Sequence, residues 1–287
     1  MKEHIFSPAK INLRLDIVGR DTASGYHYLE MILAPVTLGD KITIEESTHL
    51  SVSVENCREI IPQERNIVYR VIRAVESEIG YELPPLAVTI CKEIPTGGGM
   101  GGGSSNGATV LSWLDSHFNL RLGMDRMTRI AASVGSDIPF FLFGTPAVVS
   151  GFGERVQPFR ISSFPFHLLI VHPGFPIETA VAYALWDRKM LTKRDPTDTN
   201  LARVRRLSSL TEWIDFMRND FEAVLFEEYP ILREVVSRLC REGSDKVLMT
   251  GSGSAIVGFF GSLAQRNRAY ERLRHDYGFV RKTEIIG

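Results

Sequence analysis

Six of the seven residues from Gly97 to Gly103 are glycine, inside the run Pro95-Thr-Gly-Gly-Gly-Met-Gly-Gly-Gly-Ser-Ser-Asn-Gly-Ala-Thr109. Glycine costs about 0.5–1 kcal/mol relative to alanine within a helix or strand, so a cluster this dense needs a local cause. Close approach of bare backbone to a ligand is the favoured one. Leu86 to Ile94 alternates in the manner of a strand, and Ser104 to Trp113 reads as the start of a helix. Strand, glycine loop and helix N-terminus together present unpaired N–H groups and a positive dipole end to an anion, usually phosphate.

The run is not a Walker A loop, because Gly103 is followed by Ser104 and Ser105 where that loop needs lysine. It contains Gly97, Gly99 and Gly102 at the spacing of a dinucleotide fingerprint, with Asp115 at a suitable distance. A dinucleotide fold also needs a second parallel strand after the helix. Met124-Asp-Arg-Met-Thr-Arg-Ile-Ala-Ala follows instead, and it reads as another helix. A flexible linker would separate domains, whereas this run joins a strand to a helix within one domain.

The 287 residues allow one or two domains with a sizeable core. A net charge of −1 offers no basic excess for nucleic acid. The first residues lack a signal-peptide core, and nothing approaches the roughly 18 apolar residues of a membrane span. Cys57, Cys91 and Cys240 lie far apart and read as reduced packing residues of a cytoplasmic protein. The seven histidines form no zinc pattern.

Strand-like alternation marks residues 11–18, 29–33, 41–45 and 50–54. Helical spacing marks 66–80, 105–118 and 125–134, and 145–150 is strand-like. Beyond a boundary near 155–165 come a strand at 166–171, a helix from Glu178 to about Leu191 and a polar loop from Thr192 to Asn200. Helices at 209–227 and 230–242, strands at 246–249 and 255–260, a helix at 264–277 and a strand at 279–286 close the chain. The pattern predicts an α+β protein in two halves, 1–158 and 159–287, with ligand held between them.

Three separated segments then resemble one family, the GHMP kinases: Ser7-Pro-Ala-Lys-Ile-Asn-Leu13, the run Pro95 to Asn106, and Thr250-Gly-Ser-Gly-Ser254 before an apolar strand. Gly25-Tyr-His27, Gly135-Ser-Asp-Ile-Pro-Phe-Phe-Leu-Phe143 and Gly151-Phe-Gly-Glu154 narrow the likeness. They resemble members acting on a cytidine-diphosphate-linked methylerythritol, on the non-mevalonate route to isoprenoids. Ser7, Met100 and Gly107 depart from the commonest pattern, which has Ala, Leu and Ala there, and the usual Asp-Gly before Gly25 is missing. None of these departures removes a reacting side chain.

The resemblance implies the two-domain GHMP-kinase architecture, with a ribosomal protein S5 domain 2-like N-terminal domain and a ferredoxin-like C-terminal domain. It implies ATP and Mg²⁺ as cofactors and transfer to the 2-hydroxyl of that small-molecule acceptor. It implies nucleotide contacts from Pro95, Thr96, Gly97, Gly98, Gly99, Met100, Gly101, Gly102, Gly103, Ser104, Ser105 and Asn106. One of the two serines approaches the metal. Asp137 is the implied base, with capping of a short helix as the alternative. Lys10 is implied beside it, against an edge-strand lysine in solvent. Tyr26 would stack on the cytosine, His27 would hydrogen-bond its edge and Tyr183 would close the other side. Thr179 and Asn12 are implied substrate contacts, against a first-turn position and strand packing. Gly251 to Gly253 would lie near the phosphates or form a hairpin turn. No nucleic acid or membrane partner is expected, and the chain is expected as a monomer or homodimer.

Overall fold

The computed structural model describes residues 2–57, 61–189 and 200–287. The chain begins with two long strands, β1 (Lys2–Arg20) and β2 (His27–Glu46), then β3 (Ser51–Glu55), α1 (Ile67–Ile79) and β4 (Leu86–Cys91). After the glycine loop come α2 (Gly102–His117), α3 (Gly123–Val134) and the short α4 (Ile138–Phe141), then β5 (Ala147–Gly151) and β6 (Arg155–Pro158). There follow β7 (His167–His172), α5 (Thr179–Lys189), α6 (Asn200–Val204), α7 (Leu210–Phe216), β8 (Arg218–Asn219), α8 (Glu222–Glu228) and α9 (Pro230–Arg241). The chain ends with β9 (Lys246–Met249), β10 (Ile256–Phe260), α10 (Leu263–Leu273) and β11 (Phe279–Thr283). The polar loop expected at 192–200 lies outside the described residues up to Thr199, as do Met190 and Leu191 at the end of the expected helix.

Two compact units emerge, and both are built from discontinuous pieces. The first holds the chain up to Ala9, Gly39–Thr96 and Gly101–Gly144; the second holds Lys10–Leu38, Gly97–Met100 and Thr145–Gly287. The strand β2 therefore serves both. Its later half pairs antiparallel with β4, Ile42 opposite Ile90, and its earlier half pairs antiparallel with β5, Met31 opposite Val149.

In the first unit α1 shows why local sequence yields this structure. Its apolar residues recur at helical spacing, so Val68, Val71, Ile72 and Val75 are buried on one face. Asn66 caps its start, accepting the Val68 N–H over 2.9 Å, and Gly80 ends it in the left-handed region at φ 82°. That face meets Val88 and Ile90 of β4, and Val110, Leu111 and Leu114 of α2, in one apolar cluster that includes Ile138. Gly107, the departure noted above, lies in α2 where a Cβ would come 2.8 Å from Ile67 Cγ2.

In the second unit four antiparallel strands run in the order β11-β7-β10-β9. Numbered along the chain this is 4-1-3-2, with helices between the first and second strands and between the third and fourth: the ferredoxin-like split βαβ arrangement. Every residue of β10 is buried, as its central position demands. Also in this unit, β8 pairs parallel with β1, Leu15 opposite Asn219.

Two expectations about elements need correction. The strands read at 29–33 and 41–45 are one strand, β2. The intervening residues stay extended because Val36 bridges Ile285 and Leu38 N–H donates to Thr283 Oγ1 over 3.0 Å. The helix read at 209–227 is broken into α7, β8 and α8. Asn219 is the reason: its Nδ2 donates to the carbonyls of Met249 and Gly251, 2.8 Å each, and its Oδ1 accepts Phe221 N–H at 3.0 Å. Among the described residues no helix is long and apolar enough to cross a membrane.

Candidate active site

The second unit contains the first half of the glycine loop. The four carbonyls from Gly97 to Met100 are all engaged by protein donors. Ile177 N–H donates to Gly97 O at 3.3 Å, Ala255 N–H to Gly98 O at 3.2 Å and Lys10 N–H to Met100 O at 3.0 Å. Thr250 Oγ1 is 3.3 Å from Gly99 O. Among the described residues, the N–H groups of Gly97 to Met100 have no protein acceptor. Acceptors turned into the protein and donors turned away make an anion cradle of the nest type.

Glycine at Gly97 and Gly99 is also required by the protein's own packing. Gly97 and Gly99 sit at φ 67° and 74°, where L side chains are strained. A Cβ on Gly97 would come 2.4 Å from Pro176 Cβ, and one on Gly99 would come 2.1 Å from the Thr250 carbonyl oxygen.

Lys10 is 4% exposed, which removes the solvated edge-strand alternative. Its ammonium donates to Asn12 Oδ1 over 2.7 Å. That oxygen also accepts Gly251 N–H at 2.9 Å and lies 3.3 Å from Thr250 Oγ1, while Asn12 N–H donates to Thr250 Oγ1 at 3.1 Å. Residues 250–255 connect the antiparallel strands β9 and β10, so Gly251 to Gly253 lie in a hairpin turn. Ser252 Oγ lies 3.0 Å from Thr179 Oγ1, which places Thr179 at the start of α5 facing this turn.

His172 braces the same turn. Gly174 N–H donates to its Nδ1 at 3.2 Å, so the ring hydrogen sits on Nε2, 3.3 Å from Ser254 Oγ. Ser254 in turn donates to the Phe175 carbonyl. Burial lowers the His172 pKa, which agrees with a neutral ring.

The first unit contains the second half of the loop. Gly101, at φ 68°, is the N-cap of α2. Ser105 N–H donates to Gly101 O at 2.9 Å, while the N–H groups of Gly101 to Ser104 have no protein acceptor among the described residues. Ser105 and Asn106 are buried, and both bond Ser7 Oγ at 2.8 Å. Ser104 is the less buried of the two serines. Lys92 lies beside this helix start, 2.9 Å from where a Gly102 Cβ would be, and is paired with the fully buried Asp40. Asp137 is half-buried at the N-cap position of α4, with φ −85°, ψ −13° and no side-chain capping bond. The capping alternative has no geometric support.

The aromatic residues meet in two groups. Tyr26 is 68% exposed, and its ring is tilted against Phe152 at 6.0 Å. Tyr183 stacks on His27 at 4.5 Å and 12°, and meets Phe221 at 5.0 Å. His27 Nε2 is 2.7 Å from Asp187 Oδ1. Sequence reasoning missed Asp187, His172, Asn219 and the Lys92–Asp40 pair. None sits in a local pattern, and each finds its partner across a turn or many residues along the chain.

The chain matches the family model described as "GHMP kinases N terminal domain" over residues 66–145, and "GHMP kinases C terminal" over residues 199–278. A protein of Parabacteroides distasonis named 4-diphosphocytidyl-2-C-methyl-D-erythritol kinase is 33% identical over 255 residues, covering 89% of this chain and 90% of that one. A protein of the same name from Chlorobium chlorochromatii is 36% identical over 273 residues, covering 94% and 92%. A solved structure titled 4-(cytidine 5'-diphospho)-2C-methyl-D-erythritol kinase superposes with TM-score 0.80 at 28% identity, over 99% of this chain and 100% of that one. The Methanococcus jannaschii mevalonate kinase, with TM-score 0.76 at 13% identity, shares the fold. Both family models are matched in order along the chain, relatives above 30% identity span nearly all of it, and on those grounds the chain belongs to the GHMP kinases.

Proposed function

We propose that this kinase transfers the γ-phosphoryl group of ATP to the 2-hydroxyl of 4-diphosphocytidyl-2-C-methyl-D-erythritol, in the cytoplasm, on the non-mevalonate route to isoprenoid precursors. The observation that carries the reading is the segment Gly97 to Met100, whose N–H groups have no acceptor among the described residues while its carbonyls are engaged. Such an array suits the triphosphate of a nucleotide. The names of the relatives that match most of the chain support the choice of acceptor.

Phosphoryl transfer rests on positioning and charge neutralisation. The acceptor oxygen bonds the γ-phosphorus, the bond to the β-phosphate oxygen breaks, and the hydroxyl proton passes to the Asp137 carboxylate. Lys10 supplies positive charge to the developing negative charge. Asn12 holds that ammonium; Lys10 Nζ and Gly251 N–H both donate to its Oδ1, so it acts by positioning. Tyr26 offers its exposed ring to the cytosine, His27 reads the base edge, and Tyr183 supports the His27 ring.

Among the described residues no group of three or more His, Cys, Asp or Glu is placed to hold a metal ion. Mg²⁺ in kinases is bound by one or two carboxylates together with substrate phosphates, so the site fits without such a cluster. Ser104 is the residue to approach it, since the Ser105 hydroxyl is bonded to Ser7. When bound, the ion neutralises phosphate charge.

A coupled ADP-release assay with ATP, Mg²⁺ and a panel of the cytidyl acceptor, homoserine and mevalonate tests the reading. Release is expected with the cytidyl acceptor. Release with homoserine or mevalonate alone would reassign the acceptor within the family.

A further inference from the structure

We propose that Asp187 determines which pyrimidine the acceptor carries, acting through His27. This rests on the reading above that the base end of the acceptor meets Tyr26 and His27. The His27 side chain is 7% exposed, and its plane is fixed by the stack on Tyr183 at 4.5 Å and 12°. Its Nε2 lies 2.7 Å from Asp187 Oδ1, and the other oxygen of Asp187 takes Arg20 Nη1 at 3.1 Å. A carboxylate can only accept, so the hydrogen between the two residues sits on His27 Nε2. In the neutral form of the ring the lone pair is then on Nδ1. Among the described residues Nδ1 has no protein partner.

A ring nitrogen with one fixed lone pair is a reader of donors. Cytosine carries an exocyclic amine at position 4, and uracil carries a carbonyl there. The Nδ1 lone pair accepts from the amine and opposes the carbonyl. Asp187 thus selects cytosine without touching it, by choosing which ring nitrogen carries the hydrogen. Arg20 holds the carboxylate in place. A wrong partner at one buried hydrogen-bonding position is disfavoured by roughly ten- to a hundredfold.

D187N tests the idea directly. An asparagine amide can donate to Nε2 and so move the ring hydrogen to Nδ1, converting the reader into a donor. The wild type is expected to prefer the cytidyl acceptor over its uridyl analogue. D187N should shrink the ratio of the two kcat/KM values at least about tenfold. The change should fall on the KM of the acceptor, leaving the KM of ATP unchanged. D187E, which keeps a carboxylate, should retain the preference. Nitrogen NMR of the wild-type histidines should show His27 hydrogenated at Nε2, a readout independent of any variant's folding. A wild-type His27 carrying its hydrogen on Nδ1, or a D187N enzyme with the wild-type ratio, would overturn the proposal while leaving the kinase assignment intact. A wild type that phosphorylates neither nucleotide-linked acceptor would overturn both.

Discussion

Lys10 Nζ donates to Asn12 Oδ1 over 2.7 Å, two positions along the same strand and on the same side of it. Residues two apart in a strand point the same way, so the spacing in Ala9-Lys-Ile-Asn12 is what allows the bond. Because Gly251 N–H shares the acceptor at 2.9 Å, Asn12 ties a buried ammonium to the turn after β9.

N12A should therefore damage catalysis and stability together. It removes one acceptor of a buried ammonium and leaves the Gly251 N–H without its Oδ1 partner, at about 1–3 kcal/mol for a buried group left unsatisfied. A fall in kcat of about ten- to a hundredfold and a lower Tm are expected. N12D, which keeps an acceptor oxygen, should keep more of the stability. Wild-type kcat and Tm in N12A would refute the positioning role.

Asp137 separates its two readings cleanly. A capping aspartate contributes typically about 1 kcal/mol to its helix, but this one makes no capping bond. D137A should leave Tm nearly unchanged, lower turnover at least about 100-fold and spare ATP affinity. Turnover close to wild type together with a lowered Tm would restore the capping reading.

Much of this was legible because it is local. Asn66 and Gly80 bracket α1 through their own side-chain and backbone preferences, and both ends were read to within a residue. The glycine loop, Lys10 and Asp137 lie in contiguous motifs. What stayed hidden depends on partners distant in sequence. Asn219 breaks an apparently continuous helix because it serves Met249 and Gly251, 30 and 32 residues on. Asp187 reaches His27 across 160 residues, and no periodicity along α5 marks it. The glycines have a second cause that the run itself does not display. Gly97 and Gly99 are crowded by Pro176 and Thr250, contacts set by tertiary packing that carry no sequence signal.

Glu222, in the first turn of α8, accepts the Met249 N–H at 2.7 Å. Burial pushes its pKa up to about 7 from an ordinary 4.5, against the opposing pull of that backbone bond and of Lys246. The native protein thus keeps a proton that the unfolded chain releases. This contribution to stability is complete below the unfolded value and is lost as pH rises through about 7. The loss is on the order of 3 kcal/mol at most. E222Q keeps an acceptor for Met249 and removes the charge, so its stability should vary less between about pH 5 and pH 8. Denaturant unfolding at the two pH values measures this, and an equal pH dependence in both proteins would rule Glu222 out as the source.

Gly99 and Gly123 share a left-handed backbone, φ 74° and 70°, yet differ in surroundings. A Cβ on Gly123 would meet nothing within 4 Å, whereas one on Gly99 would lie 2.1 Å from the Thr250 carbonyl oxygen. G123A should therefore suffer only the conformational penalty, roughly 1–2 kcal/mol. G99A suffers that penalty and must also push apart two backbone segments, since the obstructing atom is a carbonyl and not the end of a mobile side chain. The displacement would carry the loop away from the turn that Asn12 and Asn219 hold. G99A should lose clearly more Tm than G123A, at roughly 2–4 °C per kcal/mol for a protein of this size. It should also lose the rise in Tm that ATP and Mg²⁺ give the wild type, because ligand stabilisation scales with affinity. G123A should retain that rise. Equal melting of the two variants, or a full nucleotide-dependent rise in G99A, would show that contact between loop and turn is dispensable for nucleotide binding.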